Sequence, residues 1–181
     1  YKKLKENIKQ MERAAVAFLY DNGVTSGISS TQYGPALPIS RGDFAVMIYR
    51  AFGLTPSSSS GRFNDVPSNV YYAQAVNTLA SMGIVSGVGN NAYLPTAPIT
   101  RQDAICIVQR AARAIGWSAN DGYASVLNSY SDGGSVGGYA KGAMSYAVQR
   151  GYLPLSNGQL APNGALTRVD MAQILHRVLT Y

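Results

Sequence analysis

The sequence predicts an all-α fold built from three helix-loop-helix units. Three observations predict it: a polar signature that recurs three times, an apolar periodicity of helical type after each recurrence, and intervening stretches dense in Gly, Asn and Pro. The signature reads apolar, Ser/Thr, Arg, any residue, Asp, and stands at residues 39–43, 99–103 and 166–170. Its arginines, Arg41, Arg101 and Arg168, are almost evenly spaced along the chain. Gly23, Gly83 and Gly151 precede them at a nearly constant interval, each behind an apolar pair: Ala15-Val16, Ala75-Val76 and Ala143-Met144. The units are expected at residues 1–54, 62–115 and 129–181 of one compact body. L-T-P-S-S-S-S-G-R, around residues 55–62, and a Gly/Ser/Asn-rich stretch at 116–129 separate them.

Unit one opens on residues 1–20, where Leu4, Ile8, Met11, Ala15 and Phe18 follow 4-3-4-3 spacing and predict one long amphipathic helix. Two heptads are too few to specify a coiled coil. In unit two, Ala75, Val76, Leu79 and Met82 share one face of a first helix that Gly83 is placed to end. The loop after it is too rich in Gly, Asn and Pro to be helical. A second helix then starts at Thr100 and carries Ile105, Ile107 and Val108 to about Ala114. Ala45, Met47 and Ile48 match it in unit one, and Ala172, Ile174 and Leu175 in unit three.

The start of each second helix explains two of its three recurring polar residues. Ser40, Thr100 and Thr167 stand at the N-cap, and Asp43, Asp103 and Asp170 at N3, a capping box with Asp in place of Glu or Gln. Each cap contributes about 1 kcal/mol. Arg41, Arg101 and Arg168 fall at N1, where the positive end of the macrodipole disfavours a cation by about 0.3–1 kcal/mol. Two readings account for that: guanidinium, first-turn N–H groups and dipole converging on an anion, or an ion pair between repeats. Arg50, Arg110 and Arg177 recur near the opposite ends of the same helices, where a cation suits the dipole, and read as structural.

Before the first helix of unit two, Phe63-Asn-Asp65-Val66 leads to Tyr71-Tyr72-Ala73, and in unit three Tyr130-Ser-Asp132 leads to Tyr139-Ala140. Asp65 and Asp132 read as capping turns, with Phe63 and Tyr130 packed beneath the repeat. Tyr71 and Tyr139 fit either packing or a sugar ring, offering a ring face and a hydroxyl.

Composition narrows the function. Of 181 residues, 46% are hydrophobic and 13% charged, too apolar for a disordered tail. One Cys and one His, Cys106 and His176, supply neither an internal disulfide nor a metal cluster. No run is long and apolar enough to cross a bilayer, and residues 1–10 lack the apolar core of a signal peptide. The net charge is +6, of which Lys2, Lys3, Lys5 and Lys9 less Glu6 place +3 in the first ten residues. A phosphate-tracking surface is therefore excluded, and no nucleic-acid partner is expected.

Phe63, Asp65, Tyr71, Ala75, Val76, Gly83, Ile84, Gly87, Pro95, Ile99, Thr100, Arg101 and Asp103, in that order, resemble the S-layer homology (SLH) domain, and the resemblance covers nearly the whole chain in three tandem copies. It implies a pseudo-threefold, three-pronged helical bundle with ligand grooves between units. It also implies a secreted, non-catalytic module that holds its protein to the bacterial cell wall by binding secondary cell-wall polysaccharide, often through a pyruvate ketal. The family's key arginine falls on Arg41, Arg101 and Arg168. A ketal carboxylate can accept two parallel bonds from a guanidinium, each contributing about 1.5–3 kcal/mol. No cofactor or membrane insertion is implied.

Departures grade the units. Unit one lacks the F-x-D segment and has Met11 at the aromatic position; unit three replaces G-I-x-x-G by Gly151-Tyr152-Leu153-Pro154-Leu155. Unit two is therefore expected to be the most competent. The alternative function is assembly among surface-layer neighbours, with the arginines pairing partner acids. A glycoside hydrolase would need paired carboxylates, and none stands in a convincing context.

Overall fold

The computed structural model describes residues 2–25, 34–57 and 61–181. Tyr1, the side chains of Leu4 and Ile8, and residues 58–60 of the first separator lie outside the described residues. The helices are α1 (Lys2–Asp21), α2 (Arg41–Ala51), α3 (Ala73–Ser81), α4 (Arg101–Ala114), α5 (Lys141–Arg150) and α6 (Arg168–Thr180). Short 3₁₀ turns cover Ala124–Ser129, Gly133–Ser135 and Gly138–Ala140. Among the described residues there is no strand or sheet, and the fold is all-α.

The predicted caps form as hydroxyl caps. Ser40, Thr100 and Thr167 accept from the backbone N–H groups of Asp43, Asp103 and Asp170 at 3.1, 3.2 and 3.2 Å. The other half of the predicted capping box is replaced. The three carboxylates reach instead to Tyr71, Tyr139 and the arginines of neighbouring units.

The helices that pack together belong to different units. α3 lies on α2 and α5 on α4, so each of these prongs pairs a unit's first helix with the preceding unit's second helix, and α1 on α6 closes the cycle between units one and three. Periodicity within a unit fixes which face is apolar but not which helix covers it. At the hub three backbone bonds close a ring: Ile39 N–H to Leu166 C=O at 2.9 Å, Leu166 N–H to Ile99 C=O at 2.9 Å, and Ile99 N–H to Ile39 C=O at 3.1 Å. This ring is the pseudo-threefold element. It satisfies backbone groups that burial would otherwise leave unpaired.

The predicted core residues of α2, α4 and α6 are all buried, with Phe44, Ile39, Ile99 and Leu166 closing the centre. On α3, Ala75, Val76 and Leu79 are buried, but Met82 is exposed, because α3 ends at Ser81 and the chain turns at Gly83, whose φ is +73°. Among the described side chains of α1, Ala15 and Leu19 are buried, while Met11 is exposed. The stretch at 116–129 is more than a separator: Asp121 accepts from Gln109 Nε2 at 2.9 Å and from Arg113 Nη2 at 3.2 Å, and Leu127 is buried.

Asp65 and Asp132 do not cap a local turn. Asp65 accepts from the N–H groups of Tyr93 and Leu94 at 2.9 and 2.8 Å, and Asp132 from those of Leu160 and Ala161 at 3.2 and 2.8 Å. Leu94 and Ala161 sit at φ +56° and +46°, a left-handed conformation that costs a non-glycine residue about 1–3 kcal/mol. Unit one has Gly34 there, at φ +67°, and no F-x-D segment. The carboxylate thus holds a strained loop that glycine adopts freely. Asp65→Ala is expected to lower stability by about 2–4 kcal/mol, since two charge-assisted bonds are lost, and Leu94→Gly in the same chain to restore part of it. Denaturant unfolding of the single and double variants measures both.

Candidate ligand groove

Arg41 opens α2 from the signature of unit one. Its Nε donates to Tyr93 C=O at 2.8 Å, its guanidinium lies 4.8 Å from the Tyr93 ring centroid, and the Tyr93 hydroxyl donates back to Arg41 C=O at 3.0 Å. Nη1 stands 3.7 Å from Asp103 Oδ2, a salt bridge beyond hydrogen-bonding reach. Asp103 also accepts from the Tyr139 hydroxyl. Residues of all three units therefore meet at one carboxylate.

Beside them is a cavity of about 380 Å³, lined by Arg41, loop residues 85–88, Tyr139 and one face of α4. Asp103, Cys106, Ile107 and Arg110 supply that face at i, i+3, i+4 and i+7, the spacing of a single helical stripe. Burial pushes the Cys106 thiol up to about 11, so it lines the wall as a neutral group rather than a nucleophile.

The first-turn N–H groups are not available to an anion. Arg41 and Gly42 donate to Ala97 and Pro95 C=O, Arg101 and Gln102 to Gly164 and Pro162, and Arg168 and Val169 to Leu37 and Pro35, all at 2.8–3.0 Å. Each helix start is docked on the next unit's loop, whose carbonyls offset the positive dipole and make a cation at N1 tolerable. The expectation that N–H groups and guanidinium converge on one anion is corrected. At the start of α2 the guanidinium, not the backbone, is the group that meets the cavity.

Arg101 is placed differently from Arg41. Its Nε donates to Leu160 C=O at 2.9 Å, Nη1 to Asp170 Oδ2 at 3.0 Å and Nη2 to Pro154 C=O at 2.6 Å. It is 2% exposed, and burial lowers its pKa. Both Arg41–Asp103 and Arg101–Asp170 are ion pairs between repeats, the second of the two sequence readings. Arg41 lines the cavity together with the loop and the α4 face of unit two, the unit of best motif quality, whereas Arg101 is enclosed by acceptors from unit three. Arg168 is buried at the equivalent start of α6.

Tyr71 and Tyr139 are 74% and 63% exposed, and their hydroxyls donate to Asp43 and Asp103. Partial burial of the hydroxyl, then the bond to the carboxylate, pushes each up to about 12, so both remain proton donors near neutrality. The Tyr71 ring meets that of Tyr72 edge-on, with centroids 5.0 Å apart. Met11, which stands in for the aromatic in unit one, instead lines a smaller cavity of about 170 Å³ with Gln173, His176 and Arg177.

Arg110 is the residue that sequence reasoning passes over. Its Nη1 reaches Ile84 C=O at 3.5 Å, as Arg50 reaches Val24 at 3.5 Å and Arg177 reaches Gly151 at 3.2 Å. The structural reading of the three rests on those bonds, yet Arg110 also lines the larger cavity. Its signal is the i+7 register from Asp103. Among the described residues no group of three or more His, Cys, Asp or Glu could hold a metal ion, and no helix is long and apolar enough to cross a membrane.

A helical bundle of three docked repeats, each opening a helix on Ser/Thr-Arg-x-Asp, is the architecture of a tandem-repeat module with grooves between its units. The S-layer homology domain matches it at residues 6–45, 62–105 and 129–172, and the chain belongs to that family. It is 29% identical over 165 residues to an amylopullulanase of Thermoanaerobacterium thermosulfurigenes, covering 91% of this chain and 9% of that protein. It is 29% identical over 171 residues to the surface-layer 125 kDa protein of Lysinibacillus sphaericus, covering 92% and 14%. To a cell surface protein of Thermoanaerobacter kivui it is 28% identical over 171 residues, covering 92% and 20%. The chain thus spans at most a fifth of the length of these relatives, and where the relative is named as an enzyme the match lies in that small part.

Proposed function

We propose that the chain is a non-catalytic module that anchors its protein to the bacterial cell wall at the cell surface, and that the Arg41 groove binds an anionic wall polysaccharide through a pyruvate ketal. Membership of the family and relatives named for surface layers support the anchoring role. The observation that carries the groove is Arg41 itself: a guanidinium held by Nε, with its carboxylate partner 3.7 Å away, lining a 380 Å³ cavity beside an exposed tyrosine. A ligand carboxylate gains charge-assisted bonds from Nη groups there, and Tyr139 offers a ring face to the sugar. Arg101, Arg168 and Tyr71 hold the corresponding positions in the other grooves.

Assembly among surface-layer proteins is the second reading. It needs arginines that reach partner acids, whereas Arg41 and Arg101 pair with Asp103 and Asp170 of their own chain. Co-sedimentation with wall sacculi, before and after mild acid removal of ketal pyruvate, tests the first. Binding is expected to fall at least tenfold after removal; undiminished sedimentation contradicts the ketal.

A further inference from the structure

We propose that the Arg101 groove is a second site of the same kind held shut by the chain's own loop, and that the length and glycine content of that loop set how many grooves the module offers. This rests on the reading of the Arg41 groove above. All three guanidinium nitrogens of Arg101 are occupied, by Leu160 C=O, Asp170 and Pro154 C=O. Pro154 supplies an oxygen at 2.6 Å where a ligand carboxylate would place one, and Asp170 has closed to 3.0 Å where Asp103 stands 3.7 Å from Arg41.

The cause is legible in the loop. The bridges Gly89–Ala92 and Ser156–Gln159 fix the register of the two hairpin turns, which puts Pro154 opposite Gly87. The stretch from Gly151 to Arg168 is shorter by a single position than the stretch from Gly83 to Arg101, and that register places the deletion in unit three ahead of Pro154. Gly87 has φ +84°, and a Cβ there would lie 2.6 Å from both Ala92 C=O and Phe63 Cε1. The unit two loop therefore folds back through a conformation and a space that admit glycine alone, and residues 85–88 become the wall of an open cavity. Proline, whose ring holds φ in the negative range, cannot follow that path. The shorter loop runs across Arg101 instead, and the cavity left between α1 and α6 is 170 Å³ and is not lined by Arg101.

Replacing residues 152–155, Tyr-Leu-Pro-Leu, by the segment Ile-Val-Ser-Gly-Val of unit two tests this. Two readouts are taken: phenylglyoxal modification of Arg101 by peptide mapping, and calorimetric titration with a methyl hexopyranoside carrying a 4,6-O-pyruvate ketal. In the parent, Arg101 is expected to be protected; in the graft it becomes at least tenfold more reactive, and the number of bound ligands rises by one. The reciprocal graft, Tyr-Leu-Pro-Leu in place of residues 84–88, keeps the proposal testable if the first fails to fold, and is expected to lower the number by one. A graft that leaves Arg101 protected, or exposes it without changing stoichiometry while the parent binds, overturns the latch alone. A parent that binds none of the ketal sugar overturns the reading of the Arg41 groove and, with it, the ligand assigned here.

Discussion

Replacing Arg101 by alanine is expected to lower the free energy of unfolding by about 3–5 kcal/mol, because it leaves Asp170 as a part-buried charge without its partner. The carbonyls of Leu160 and Pro154 lose their donors as well, at a site where Arg101 is 2% exposed. In a chain of 181 residues that corresponds to a Tm lower by about 6–20 °C. Total stability of a domain is about 5–15 kcal/mol, so this single truncation removes a large share of it. Arg101→Lys is expected to recover little, since an ammonium does not span the three acceptors that the fork reaches. Thermal and denaturant unfolding measure the loss. Weaker wall binding with unchanged stability would show Arg101 to be a ligand contact already open to the wall, not a group covered by the unit three loop.

The second large effect lies in binding. Arg41→Gln removes the cation from the open groove and is expected to weaken attachment to wall polysaccharide about 10- to 150-fold, the equivalent of one charge-assisted bond of about 1.5–3 kcal/mol. Stability should change less than for Arg101. Arg41 loses one hydrogen bond, to Tyr93 C=O, and a face contact with the Tyr93 ring, while its carboxylate partner is 3.7 Å away. Calorimetric titration set beside denaturant unfolding of the same variants separates the two effects, since the arginines share the same local sequence and differ in what the neighbouring unit brings to them.

That difference marks the limit of what local sequence conveys. The helix starts are legible because hydroxyl caps act over a single turn: Ser40, Thr100 and Thr167 bond the N–H groups expected of them. The buried faces of α2, α4 and α6 are legible from periodicity for the same reason. The pairing of α3 with α2 is not, because an apolar stripe carries no label for its partner. Asp65 reads locally as a cap, yet its acceptor oxygens serve the distant N–H groups of Tyr93 and Leu94, and what they compensate is the backbone strain at Leu94. Arg110 suits a helix C-terminus, although its register from Asp103 puts it on the groove as well. The contrast between Arg41 and Arg101 depends on a shortened loop in the following unit, a feature that lies outside either signature.

Grooves in this fold are shared property: Arg41 comes from unit one, Asp103 and Arg110 from unit two, and Tyr139 from unit three. A unit taken alone lacks the residues that complete its own groove, which gives a physical reason for three copies in one chain. The ring of bonds through Ile39, Ile99 and Leu166 fixes their relative placement.

The most direct test of the central claim is residue-resolved mapping of the ligand. In an amide NMR titration of the isotope-labelled chain with purified pyruvylated wall polysaccharide, the largest shifts are predicted at residues 85–88, Asp103, Arg110 and Tyr139, with residues 152–155 little affected. Shifts concentrated on α1, or spread evenly over the three helix starts, would contradict the assignment of binding to the Arg41 groove.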